Sequence, residues 1–187
     1  MSSNYLKLRI NPTHYELMKE EILEYRSQWN DTCVYIEKDM DYLSLPSVKL
    51  YLDQLGVTQY ITNISHIVIK AGQRLPLHVD DLHRFTWSLT IPFLNIEGTY
   101  NRFYRSNKPL ERMFDSSNKG PWAVQSCLGY TDMKEVYLID EVEVDGPMII
   151  NTRVPHDVVN RSKLDREAIG VRFNNFFDKS LLTSFQR

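Results

Sequence analysis

The sequence predicts a mainly β chain whose N-terminal third is helical: a β-sandwich or small barrel with helices packed on its outside. Three observations predict it. Before Gly56, apolar residues recur at spacings of three and four. After Gly56 the texture changes to seven short β-branched and aromatic runs separated by turn residues: SHIVIKAG, RFTWSLTIPF, TYNRFYR, EVYLIDEVEV, GPMIINTRV, HDVVN and REAIGVRFNNFF. Within RFTWSLTI the polarity alternates, as in a strand with one apolar and one wet face.

The elements follow in order. Residues 12–29 predict an amphipathic helix, because Tyr15, Met18, Ile22, Tyr25 and Trp29 share a face, and Thr13 with Glu16 has capping-box spacing. Residues 45–55 predict a second helix, with Val48, Leu52 and Leu55 on one side and Gly56 as its stop. In the strand after them, Phe85, Trp87, Leu89 and Ile91 form one face, and Thr86, Ser88 and Thr90 the other. That polar face lines either a wet pocket or open solvent. The least regular stretch, 105–130, is long enough to signal a functional or exposed loop. No internal repeat or low-complexity tract is visible.

With 187 residues, 42% of them hydrophobic, the chain supports one domain: 1–56 mostly helical support, 57–177 the β core and 178–187 a tail. A net charge of −2 without a Lys/Arg block gives no nucleic-acid or membrane-surface signal. The N-terminus lacks the apolar stretch of a signal peptide, and no run approaches the roughly 18 apolar residues of a membrane span, so a soluble, cytoplasmic protein is expected. Cys33 and Cys127, with no C-x-x-C, fit a reducing compartment and exclude a thiolate cluster. A metal here would need histidine and carboxylate ligands.

LPLHVDD, residues 75–81, carries such a pair. On a strand, His78 and Asp80 point to the same side while Val79 faces away, so an imidazole and a carboxylate can converge. A hydrogen-bonded strand end is the plain alternative. His83 offers a rival local ligand, but its parity on an extended strand opposes that of His78. Of the other histidines, His66 reads as a half-buried strand residue and His14 as solvated.

The second part lies downstream in PHDVVNRSKLDREAIGVRF. His156 falls in a β-like run, RSKLD reads as a turn, and REAIGVRF reads as the returning strand of a hairpin. Arg166, Ala168, Gly170 and Arg172 share one face of that strand, opposite Ile169, Val171 and Phe173. Two small residues between two arginines predict an open, positively charged concavity. Pairing Asn160 with Arg166 puts His156 opposite Gly170 and Arg166 about 13 Å of strand toward the turn. Arg172 then lies at the other end, suited to an anionic group of a substrate or to a salt bridge.

An H-x-D early in a β-barrel, a distant histidine and an arginine on the strand after it resemble the iron(II)/2-oxoglutarate dioxygenases, especially the aspartyl/asparaginyl- and prolyl-hydroxylase-like branches. The phrases HVDDLHRFTWSLTIPFLNIEGTYNRFY and PHDVVNRSKLDREAIGVRF carry the resemblance, over roughly residues 60–177. It implies a double-stranded β-helix (jelly-roll, cupin-like) core. It further implies His78, Asp80 and His156 as a facial triad for Fe(II), with positions left for 2-oxoglutarate and O2. Arg166 matches the cation that meets the far carboxylate of the keto-acid, with Arg172 as its competitor. Thr86, Ser88 or Tyr104 would add a hydroxyl to the same carboxylate, and Arg172 would face the substrate. Asp80 implies hydroxylation rather than halogenation, on an amino-acid, peptidyl or other small-molecule C–H. Two competing classes stay open: a non-catalytic jelly-roll binding module, and a cupin-like metalloenzyme that uses no keto-acid.

Overall fold

The computed structural model describes residues 4–26, 35–39, 41–75, 77–80, 86–107, 128–129 and 136–187. The expected end of the first helix with Trp29, His83, Phe85 and most of the 105–130 loop lie outside them.

Helix α1 spans Pro12–Arg26. Its cap is Asn11, whose Oδ1 accepts from the His14 N–H at 3.2 Å, with Pro12 at the first helical position, where its missing N–H costs nothing. The expected Thr13/Glu16 box is therefore displaced by the asparagine in front of the proline. Helix α2 spans Pro46–Gln54, and Glu21 of α1 accepts from the Ser47 backbone N–H (3.0 Å) and hydroxyl (2.6 Å), supplying the first turn of α2 with an acceptor. Val48, Leu52 and Leu55 are buried together, and Gly56 ends the segment at φ +68°.

Among the described residues, eleven strands form two antiparallel sheets. They are β1 (Tyr5–Lys7), β2 (Tyr35–Asp39), β3 (Ile61–Ile69), β4 (His78–Val79), β5 (Trp87–Leu94), β6 (Thr99–Ser106), β7 (Leu128–Gly129), β8 (Val136–Glu143), β9 (Met148–Asn151), β10 (His156–Asn160) and β11 (Arg166–Phe173). The major sheet runs β1-β9-β5-β11-β3-β2 and the minor sheet β7-β4-β10-β6-β8. Successive strands from β3 to β6, and again from β8 to β11, alternate between the sheets. This is the double-stranded β-helix. The segment expected to be mostly helical support also adds two strands, β1 on β9 and β2 on β3. The expected tail is docked too: a 3-10 helix, Lys179–Phe185, buries Leu182, and Gln186 bridges Leu8.

The structure corrects the hairpin. β10 pairs with β4 and β6, whereas β11 pairs with β3 and β5, so Asn160 lies opposite Thr99, and Arg166 opposite Ile69. Residues 161–165 turn the chain from one sheet to the other. Buried Asn160 fixes that corner: its amide donates to the carbonyls of Ile69 (3.0 Å) and Leu164 (2.8 Å), and its oxygen accepts from Ser162 N (3.0 Å). A polar five-residue turn has the same composition in a hairpin and in a sheet-to-sheet corner, which is why the sequence misleads here.

The alternation of β5 and β11 divides the core. Leu89, Ile91, Ile169, Val171 and Phe173 pack outward with Met18, Ile22, Val48 and Leu52 of the helices. Between the sheets lie two smaller clusters, Phe103 with Val142, Val144, Met148 and Ile150, and Ile69 with Leu75 and Val158. The expected open concavity over Gly170 is filled by Ile67 of β3, whose Cδ1 would lie 2.6 Å from a Cβ added at Gly170.

Candidate metal centre

The site is assembled by pairing across the minor sheet. β4 is only two residues long, yet His78 pairs directly with His156 on β10, which fixes the two imidazoles side by side with ring centroids 4.5 Å apart. Asp80 follows β4, tied by its backbone N–H to the Thr152 carbonyl at 3.1 Å. Val79, between the two, is fully buried on the other side. One ligand atom from each of His78, Asp80 and His156 lies within 4.8 Å of the others. The structure thus brings His156 to His78 and Asp80, which precede it by 78 and 76 positions.

Asp80 and His156 are buried, and His78 is partly open, with 16% of its side chain exposed. Two effects oppose each other at Asp80. Burial pushes its carboxyl up, but the hydrogen bond from His78 and the charges of Arg172, His78 and His156 win and hold it well below the usual carboxylate range. Burial, and then neighbouring His78, push His156 down to about 4, so its ring is neutral at pH 7. Its Nδ1 lies 2.8 Å from the Val154 carbonyl, which can only accept; Nδ1 therefore carries the proton and Nε2 keeps its lone pair. Two imidazoles and an ionised carboxylate converging in this way form a donor set suited to a divalent first-row metal.

Arg166 is the first residue of β11 and is 1% exposed. It shares the inner face with Ala168, Gly170 and Arg172, but stands at the end of β11 away from the metal ligands, about 20 Å of strand from Arg172. Arg172 stands at the metal end, opposite Ser88, with Nε 3.4 Å from Asp80 Oδ2. None of the three expected hydroxyls is brought to Arg166. Ser88 donates to the Val171 carbonyl (3.2 Å), Thr86 donates to Asn175 Oδ1 (3.1 Å), and Tyr104 donates to Asp157 Oδ2 (3.2 Å). Tyr104 also faces the wrong way: Asp157 and Arg102 hold it on the side of the minor sheet opposite His156.

Sequence reasoning missed the other face of β6. Asn101 lies opposite Val158 and shares its inward face with Thr99 and Phe103. Asn101 is 1% exposed, and among the described residues neither end of its amide has a hydrogen-bond partner, nor has Thr99 Oγ1. Unsatisfied buried amides are rare in folded proteins and point to an absent ligand or water. The sequence puts Asn101 on the same parity as Thr99 and Phe103 in TYNRFYR, but does not say that this parity faces inward.

No protein-family model and no curated protein matches this sequence. Solved structures do. The chain superposes on SnoK, a non-haem α-ketoglutarate-dependent carbocyclase of nogalamycin biosynthesis, with a TM-score of 0.59 at 12% identity, covering 91% of this chain and 78% of that one. HygX from Streptomyces hygroscopicus, with nickel and 2-oxoglutarate bound, gives 0.54 at 10% identity, over 92% and 83% of the two chains. A prolyl-4-hydroxylase of Pseudomonas putida gives 0.52 at 13%, over 92% and 93%. No described helix is long and apolar enough to cross a membrane. The two interleaved sheets and these likenesses together give this chain the double-stranded β-helix fold that it shares with those three structures.

Proposed function

We propose that the protein is a non-haem iron(II), 2-oxoglutarate-dependent oxygenase that hydroxylates a C–H bond of an amino-acid, peptidyl or other small-molecule substrate. The observation that carries this reading is the convergence of His78, Asp80 and His156 within 4.8 Å at one end of this particular fold. Iron would be held by the two imidazoles and one carboxylate oxygen, and when bound with the keto-acid and O2 it supplies the oxidising chemistry.

The chain's own residues position and enclose. Val154 fixes the His156 tautomer. Buried Arg166 offers a permanent cation to the distal carboxylate of 2-oxoglutarate, at the far end of β11 from Arg172, where a planar guanidinium can meet both oxygens. Asn101 and Thr99, on the inward face of β6, supply polar atoms to the same co-substrate in place of the expected Thr86, Ser88 and Tyr104. The apolar cluster of Phe103, Met148 and Ile150 helps to keep the space between the sheets dry.

Anaerobic titration of the apoprotein with iron(II) and 2-oxoglutarate tests the reading through the visible metal-to-ligand charge-transfer band. The band is expected in wild type, absent in His156→Ala, and to require at least tenfold more keto-acid in Arg166→Ala. A folded, metal-loaded wild type without the band would end the proposal. A band indifferent to Arg166→Ala would remove Arg166 from the co-substrate site.

A further inference from the structure

We infer that Arg172 is a positioning residue of the metal centre, dividing the two oxygens of Asp80 so that one is held by the guanidinium and the other is left for the metal. This rests on the oxygenase reading and goes beyond it, since the sequence suggested Arg172 as an anchor for an anionic substrate.

The geometry separates the oxygens. Oδ1 of Asp80 is 3.5 Å from His78 Nε2, inside the ligand cluster, while Oδ2 is 3.4 Å from Arg172 Nε. A carboxylate free to rotate can offer both oxygens to one ion. A guanidinium N–H on Oδ2 opposes that rotation and favours a single metal bond through Oδ1.

Topology explains why an anchor is required. Asp80 follows a strand of two residues, and its backbone is tied to the turn before β10 by the hydrogen bond to Thr152. Arg172 comes from β11 in the other sheet, where its neighbours across the strand pairs are Ser88 and Asn63. The ion pair therefore joins the two sheets at the end where the ligands meet. Electrostatics point the same way. Asp80 is 5% exposed, and a carboxylate buried that deeply is stabilised by a cation at hydrogen-bond distance, which Arg172 supplies. With 16% of its side chain exposed, Arg172 sits within the site rather than on its rim.

The test is Co(II) binding by calorimetry, with neither keto-acid nor substrate present, on wild type, Arg172→Met and Arg172→Lys. Arg172→Met is expected to bind Co(II) 10- to 100-fold more weakly, and to change the Co(II) d–d absorption spectrum as Asp80 gains rotational freedom. Arg172→Lys, which keeps the charge without the fork, is expected to recover part of the affinity. If Arg172→Met does not fold, Arg172→Gln, neutral and of similar reach, takes its place. Wild-type affinity and spectrum in the folded neutral variant would overturn the inference and return Arg172 to the substrate. Failure of wild type to bind Co(II) at all would instead overturn the oxygenase reading.

Discussion

The two sides of the major sheet bury polar groups in opposite ways. On the helix side, His66 joins three elements: its Nδ1 is 2.9 Å from the Tyr42 hydroxyl, its Nε2 is 2.9 Å from Glu167, and Glu167 also meets Arg26 of α1 at 2.5 Å. His66, Tyr42 and Glu167 are almost wholly buried, and they satisfy one another. Between the sheets, Asn101 and Thr99 are as deeply buried, but their side-chain polar atoms have no hydrogen-bond partner among the described residues. The first arrangement is closed by the fold and stabilises it. The second leaves polar atoms that the described protein groups do not answer, which is the property the proposed co-substrate site would use.

Substitutions can break this contrast. The largest effect is expected at Glu167, because it answers both His66 and Arg26. Glu167→Ala should lower the stability by about 3 kcal/mol, the low end of what removing one partner of a buried ion pair costs, since Arg26 can turn to water. Urea unfolding measures it. Co(II) affinity of the folded fraction should stay at the wild-type value, and a loss there would show that the two sides of the sheet are not separable.

Asn101→Leu should behave the opposite way. The side chains are similar in volume, and the leucine leaves no polar atom unsatisfied, so the unfolding midpoint should hold or rise. Binding of 2-oxoglutarate to the metal-loaded protein should weaken about tenfold, equivalent to about 1.4 kcal/mol. Destabilisation combined with unchanged keto-acid binding would place Asn101 with His66 as a structural polar group and erase the contrast.

The same contrast decides what the sequence made legible. Period-two alternation in RFTWSLTI correctly separated Leu89 and Ile91 from Ser88 and Thr90, because burial against helices imposes it. The spacing of His78 and Asp80 was legible for the same reason. Pairing partners were not: which strands β10 and β11 would join depends on contacts far away in sequence, so the hairpin reading and the open concavity over Gly170 were wrong together. Asn101 was overlooked because Tyr104, on the same strand, has the more familiar hydroxyl, and parity within a strand does not say which side is the inside.

Tyr42→Phe sharpens the comparison with the smallest change. It deletes one hydroxyl, keeps the ring against Tyr25 (centroids 5.7 Å apart), and leaves the His66–Glu167 contact in place. His66 Nδ1 then loses the tyrosine hydroxyl at a buried position, which predicts a loss of about 1–2 kcal/mol by urea unfolding. A double-mutant cycle with Glu167→Ala separates two possibilities. If the chain from Tyr42 through His66 to Glu167 acts as one unit, the two losses should overlap by more than about 0.5 kcal/mol, because once Glu167 is gone the imidazole can reorient and the tyrosine hydroxyl matters less. If the losses simply add, each hydrogen bond stabilises the helix–sheet contact by itself, and the helical layer is fastened at independent points rather than by a connected network.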